Sequence, residues 1–223
     1  IEKNLKNKII LVEKPIFSKS IKLNIKNNKV FVGYNLRYDP MLQYLKKNIK
    51  RKKIFVSNII CNSYLPNWRR RHYSKIYSSQ KNKGGGVHLD LSHEIDYTNW
   101  IFKDLRTKNI FLNKISNLKI NSIDHFNFIG ESKFSKIINI NLSYFSFFEQ
   151  RKIEIFSDKD YMQIDLLNRS IQTSKLKKIK FKKFKKLSSI ERMKMQIKDI
   201  NKSKPVYACT YKQAAEVLKI IGV

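Results

Sequence analysis

Acidic side chains are scarce in this 223-residue chain, where 17 Asp and Glu stand against 47 Lys and Arg for a formal net charge of +30. Glycine occurs 6 times, proline 4 times and cysteine twice. So little Gly and Pro excludes collagen-like and linker-like sequences. Cys61 and Cys209 lie far apart without CxxC spacing, which excludes a disulfide-stapled scaffold and suits core thiols in a reducing compartment. No apolar run approaches the ~18 residues that span a bilayer, and no charged-then-apolar leader opens the chain. A cytoplasmic protein with no membrane partner is expected. The chain opens on Ile1 rather than Met, which reads as a fragment or a truncated gene product.

What is present is enough to fold. A hydrophobic content of 42%, with 12% aromatic residues, is too rich for wholesale disorder despite the charge. Lys, Ile and Asn number 38, 31 and 21, all favoured by A- and T-rich codons, so part of the positive charge reads as genomic drift. It still attracts polyanions. A basic nucleic-acid or polyanion-binding module, acting through non-specific charge at Arg69–Arg71 and 175–186, is therefore one reading to carry forward.

Residues 9–13 and 29–34 form short apolar runs like buried parallel strands, and the spacing between them leaves room for a crossover helix over 18–27. A helix is expected from Pro40 to Lys50, with Asp39 as N-cap and Pro40 at the first helical position. A strand over 54–64 precedes a long basic loop, 66–86. A helix follows over 87–102, with Val87, Leu91, Ile95 and Phe102 on one face. Strand-like runs near 108–120, 123–130, 136–148, 151–157 and 160–166 predict a large mixed or antiparallel sheet. Helices close the chain over 188–201, with Ile190, Met193 and Ile197 aligned, and over 210–221. The lysine-rich run 175–186 reads as a solvated edge strand.

Three segments carry chemistry. Glu13-Lys14-Pro15 sits where a parallel strand ends, the edge at which open α/β sheets place ligands. An X-Pro bond at such a turn is a candidate for the cis form. After Gly84-Gly85-Gly86, a continuous helix would put Asp90, His93, Tyr97 and Trp100 on one stripe. An imidazole with a carboxylate one turn away can serve as an oriented general base, although His93 equally suits a hydrogen-bonded core histidine. A metal site at His88, Asp90 and His93 is disfavoured, because His88 lies off the stripe and no further ligand is apparent. The glycines are not a dinucleotide fingerprint, since no GxGxxG follows a strand. Trp68-Arg69-Arg70-Arg71-His72-Tyr73 joins a stacking surface to guanidinium forks suited to phosphate or carboxylate.

Taken together, Glu13-Lys14-Pro15, then Gly33 to Pro40, then Gly84 to Asp96 resemble, in order and spacing, the glucose-fructose oxidoreductase and inositol dehydrogenase (Gfo/Idh/MocA) family. The likeness continues through Trp100-Ile101-Phe102, Met193 to Ile200 with Pro205, and Ala214 to Ile221. It covers nearly the whole chain, as the C-terminal two-thirds of such an enzyme. Asn67-Trp68-Arg69 and Tyr73 to Ser78 look like the branch acting on sugars or nucleotide-linked sugars.

The resemblance implies an α/β (α+β) fold: residues 1–34 as the remnant of a Rossmann parallel sheet, and 35–223 as a substrate-binding α/β domain with a large open mixed sheet and flanking helices. The last helix would pack back on the Rossmann part. It implies an NAD(P)-dependent oxidoreductase acting by hydride transfer on a hydroxyl of a sugar or sugar-nucleotide, and a homo-oligomer formed through the open sheet. Lys14, Asp90 and His93 would be catalytic, with Asp90 orienting the imidazole. Glu13, Lys14 and Pro15 would touch NAD or NADP, and Arg37, Trp68, Arg69, Tyr77 and Tyr97 the substrate. Two departures follow. The family commonly spaces its Asp and His by three residues, whereas only Leu91 and Ser92 intervene here, so Glu94 rivals His93. The glycine-rich first βαβαβ portion, roughly 90 residues at about 30 per unit, has no counterpart. A catalytically inactive truncated homologue is the further alternative.

Overall fold

The computed structural model describes residues 4–18, 21 and 24–222. Two sheets organise the chain. The small one joins β1 (Ile9–Val12) in parallel to β2 (Lys29–Val32). The expected crossover helix falls partly outside the described residues, and the described ones among 18–27 are not helical.

Asp39 caps α1 (Pro40–Asn48) as expected, its carboxylate accepting from the Met41 N–H at 2.9 Å, with Pro40 at the first helical position. The chain continues through β3 (Ile54–Tyr64), a coiled segment of short 3₁₀ turns, α2 (Val87–Asp90) and α3 (Ser92–Phe102). The helix expected over 87–102 is thus two helices. Leu91, at φ −95° and ψ 23°, breaks it.

Six strands follow: β4 (Arg106–Asn113), β5 (His125–Glu131), β6 (Ser135–Ser143), β7 (Phe145–Ser157), β8 (Tyr161–Asp165) and β9 (Ser170–Lys175). With β10 (Lys178–Lys183) and β3 they form an eight-stranded sheet of order β10-β9-β8-β7-β3-β6-β5-β4. All its neighbours are antiparallel except β3 and β6. The first expected strand ends early at Asn113. The runs 136–148 and 151–157 are redivided at Tyr144, the single residue that carries the chain across the end of β3. There the Leu65 N–H donates to the Tyr144 carbonyl at 2.8 Å. The lysine run does form an edge strand, and every residue of β10 is exposed, a charged rim that deters edge pairing.

Ile59, Ile138, Ile140, Ile153, Ile155, Phe126 and Phe128 bury one face of this sheet beneath α2 and α3. The other face carries Asn58, Asn139 and Glu154, with Ile137 and Phe156 exposed. Two capped helices close the chain. Ser188 and Glu191 form a capping box on α4 (Ser189–Ile200), and Thr210 and Gln213 one on α5 (Tyr211–Ile221). The apolar stripe of α4 faces outward: Ile190, Met193 and Ile197 are exposed, while Gln196, Asp199 and Ile200 are buried. The reason is polar anchoring. Gln196 donates to the Val32 carbonyl at 2.9 Å and Tyr38 donates to Asp199 at 3.0 Å. A short strand, β11 (Cys209–Thr210), pairs antiparallel with β2, so the end of the chain returns to the small sheet. Both cysteines are buried and unpaired.

Candidate active site

The parallel pair β1-β2 ends at Val12 and Val32, and the two segments beyond those ends form one wall of a crevice. Glu13-Lys14-Pro15 follows β1, with a cis Lys14–Pro15 bond. Gly33 and Tyr34 follow β2, where Gly33 donates to the Val12 carbonyl at 2.8 Å. The opposite wall is the junction of α2 and α3. Lys14 Nζ crosses to it and donates to the backbone carbonyl of Asp90. Burial lowers the Lys14 pKa, partly countered by Asp90 and Glu94.

His93 begins the second helix of that wall. Its ring meets Tyr34 edge-on with centroids 5.5 Å apart. Its Nδ1 is buried without a hydrogen-bond partner among the described residues, while the side chain as a whole is only partly buried. Burial holds the imidazole well below its ordinary pKa, and the positive charges of Lys14, Arg151 and Arg192 push it the same way. It is therefore neutral at pH 7, the form that accepts a proton.

The expected Asp90–His93 couple is not formed. Because the helix breaks at Leu91, one residue belongs to α2 and the other to α3, and the one-turn alignment is lost. The Asp90 carboxylate instead accepts the hydroxyl of Tyr144. Burial raises the Tyr144 phenol pKa, and Asp90 adds to the rise. Tyr77, exposed at the rim, lies near enough that Asp90 also raises its pKa, after burial. Trp68 packs edge-on against Tyr144 at 5.2 Å and donates to the Ser63 hydroxyl at 3.1 Å. Arg69 lies 5.8 Å from the Tyr77 ring centroid. Lys14, Asp90, Tyr144, Trp68, Tyr77 and Arg69 are thus linked in one cluster, with His93 close enough to Lys14 to feel its charge.

Two expected substrate contacts lie elsewhere. Arg37 is buried, holding Asp96 through two bonds at 2.6 and 2.9 Å and Gln213 through a third at 2.9 Å. No donor faces the crevice. Tyr97 is fully buried beside Glu94 and Arg151. Glu94, the rival to His93, is fully buried in a two-bonded pair with Arg151 at 2.6 and 3.0 Å. Its carboxylate is already committed. Tyr144, Tyr34 and Arg192 were missed, and of these only Tyr34 sits within a quoted motif, Gly33 to Pro40.

The surrounding coil owes its order to close backbone packing. A Cβ at Gly85 would stand 2.2 Å from the Tyr77 carbonyl oxygen, so only glycine lets that strand of coil pass and carry Tyr77 to the rim. The Ser122 hydroxyl ties the same turn down by donating to the Ser78 carbonyl at 2.7 Å. Among the described residues no group of three or more His, Cys, Asp or Glu is placed to hold a metal ion, and no helix is long and apolar enough to cross a membrane.

A nicotinamide cofactor fits this geometry at one end only. Lys14, at the carboxyl end of a parallel strand and near enough to His93 for its charge to act on the imidazole, suits the reactive end of such a cofactor. The glycine-lined helix N-terminus that would hold its pyrophosphate has no match in the sequence.

No family model matches the sequence, and no curated relative does. Solved structures do match by fold. The UDP-N-acetylglucosamine 3-dehydrogenase GnnA from Acidithiobacillus ferrooxidans aligns at 15% identity and a TM-score of 0.68, over 94% of this chain and 66% of that one. An oxidoreductase from Agrobacterium radiobacter, solved with NAD+, L-tartaric acid and magnesium, aligns at 14% and 0.68, over 87% and 61%. A super-repressor mutant of Gal80p from Saccharomyces cerevisiae aligns at 11% and 0.76, over 96% and 68%. The chain spans about two-thirds of the length of these structures. Its mixed eight-stranded sheet, flanking helices and parallel β1-β2 pair give it the fold of the Gfo/Idh/MocA-type oxidoreductases.

Proposed function

We propose that this chain is the substrate-domain part of an NAD(P)-dependent oxidoreductase that removes hydride from a carbon bearing a hydroxyl on a sugar or nucleotide-linked sugar. What supports the reading is a neutral His93 whose Nδ1 has no partner, near enough to Lys14 that the lysine's charge helps hold its pKa down. His93 accepts the hydroxyl proton. The Lys14 ammonium, fixed by the Asp90 carbonyl, lowers the pKa of that hydroxyl and steadies the developing oxyanion. Asp90 acts by positioning Lys14 and by holding Tyr144. Trp68, Arg69 and Tyr77 line the side on which a sugar and its phosphates would lie. When bound, the nicotinamide accepts the hydride; Glu13, Lys14 and Pro15 would touch that end of it.

Residues 1–34 read as the end of a dinucleotide-binding sheet, completed by β11, and 35–223 as the substrate domain. Exposed Ile9 and Leu11 on β1 and the outward stripe of α4 suit further protein packed there. The half-apolar open face of the large sheet suits a second copy. The test is NAD(P)+-dependent oxidation of UDP-sugars by the full-length gene product that carries this chain. His93→Ala should lower kcat by about 10²- to 10⁴-fold. A loss of threefold or less removes His93 from the mechanism.

A second reading has its own support in the likeness to Gal80p, a regulator on the same fold: a catalytically silent homologue. Wild-type protein that binds NAD(P) but turns over no sugar would favour it. Polyanion binding through 175–186 and Arg69–Arg71 predicts affinity that falls steeply with salt.

A further inference from the structure

A second basic cavity lies at the other end of α3, away from the crevice and sharing none of Lys14, Asp90 or His93. It has a volume of about 600 Å³ between α1, the end of α3 and α5. Trp100 forms its floor. The Lys46 ammonium stands 4.0 Å above the Trp100 ring centroid and donates to the Trp100 carbonyl at 2.6 Å, and the Arg37 guanidinium lies 5.5 Å from the same ring. Lys103, Arg106 and Lys219 complete the cationic lining, against two carboxylates, Asp104 and Glu216.

The charges do not cancel. Asp96 answers Arg37 through two hydrogen bonds, and Arg106 meets Glu131 only at 3.7 Å. Among the described residues no carboxylate lies within ion-pair range of Lys46, Lys103 or Lys219. The lining thus holds five cations to two carboxylates, with Arg37 and Arg106 answered by Asp96 and Glu131 from outside it. The three lysines left without a carboxylate in ion-pair range suit a phosphate group, which carries about −1.5 to −2 at pH 7. Lysine ammoniums on flexible stems suit such an anion as point charges.

We propose that this cavity is a binding site for a small phosphate-bearing anion, held by Lys46, Lys103 and Lys219 over Trp100. The surrounding charge already acts on Lys46. Burial first, then Arg37, Lys103 and Lys50, partly countered by Asp96, holds its pKa down to about 8. A bound phosphate reverses that electrostatic part, which supplies a readout independent of any enzymatic turnover and of the crevice.

The probes are inorganic phosphate and pyrophosphate, titrated at constant ionic strength into the full chain carrying Trp68→Phe, so that Trp100 is the only tryptophan. Emission from Trp100 should change with saturation, and the Lys46 amine, followed by NMR, should titrate higher by about one unit or more, as for an opposite charge within 4–6 Å. Lys46→Gln should weaken binding at least about tenfold, the loss expected for one hydrogen bond to a charged group. Lys103 and Lys219 are exposed, so a Lys103→Gln, Lys219→Gln double variant supplies the same comparison should Lys46→Gln not fold. The proposal is overturned if chloride reproduces the phosphate response, if the double variant binds like wild type, or if RNA binds the chain while neither phosphate nor pyrophosphate moves Trp100.

Discussion

Helix α3 presents charged groups to two environments that differ in whether hydrogen-bonding capacity is filled. In one, Glu94 and Asp96 each receive two hydrogen bonds from an arginine, and of the four partners only Arg151, 26% accessible, is part-exposed. In the other, His93 has a buried nitrogen without a partner, and Lys14 reaches a backbone carbonyl rather than a carboxylate. The filled groups behave as architecture. The unfilled groups retain capacity that a substrate hydroxyl can use, which is where chemistry belongs.

Breaking the filled pairs should cost the most. Glu94→Ala strands the Arg151 guanidinium opposite an apolar gap, and Asp96→Ala does the same to Arg37. Each should destabilise the chain by about 3–5 kcal/mol, the range for removing one partner of a buried pair, measured by urea denaturation. A loss under about 1 kcal/mol would place these pairs with surface ion pairs and erase the contrast between the two environments.

Next in size is an acid effect from His88, a buried residue whose pKa is held down to about 4, chiefly by burial. Its folded value lies below the unfolded one of about 6.5. Above pH 6.5 both states are neutral and nothing is lost. As pH falls from 6.5 toward 4 the unfolded chain takes up a proton that the folded chain refuses, so stability declines by up to about 3 kcal/mol. Urea midpoints of wild type and His88→Gln across pH 7 to 4 should diverge in that window and run parallel above it.

Much of this arrangement can be read in the sequence where local chemistry decides it. Asp39-Pro40 starts α1, Thr210 and Gln213 start α5, and the apolar runs ending at Val12 and Val32 set Lys14 and Tyr34 side by side. What escapes is decided at long range. The spacing over 87–102 is helical throughout, yet the chain breaks at Leu91, where Lys14 and Tyr144 hold Asp90 from outside the helix. Tyr144 is a single residue between strands, 54 positions from its partner, and no periodicity marks it. The apolar positions of α4 recur at helical spacing, but periodicity says which residues share a face and not which way that face points; buried Gln196 and Asp199 turn it outward. Arg37 sits in a motif-like segment, and only the packing reveals Asp96 as its partner.

Gly85→Ala bears on the crevice rim. The added methyl has nowhere to go but against the Tyr77 and Ser78 carbonyls, at 2.2 and 2.6 Å. Moving that backbone should cost about 1–3 kcal/mol, as for overpacking. It should also shift Tyr77, so that its phenol titrates closer to its ordinary value once it moves away from Asp90. Gly84 offers a control. A Cβ there meets nothing nearer than 3.6 Å, and its strain comes only from φ +78°, so Gly84→Ala should leave Tyr77 in place.

The smallest expected effect is the sharpest test of the comparison. His93→Gln removes an imidazole that is neutral and has one buried nitrogen unsatisfied, so at pH 7 stability should change by less than about 1 kcal/mol. Its acid behaviour should differ from wild type with a defined sign. The folded pKa of His93 lies below the unfolded value, so wild type loses stability as pH falls below 6.5 through this group and the variant does not. The variant should therefore gain on wild type in acid while remaining level with it at neutral pH. A loss at pH 7 comparable to that of Glu94→Ala would mean that His93 belongs to the architecture after all, and the division between filled and unfilled groups would fail at the residue on which the proposed chemistry depends.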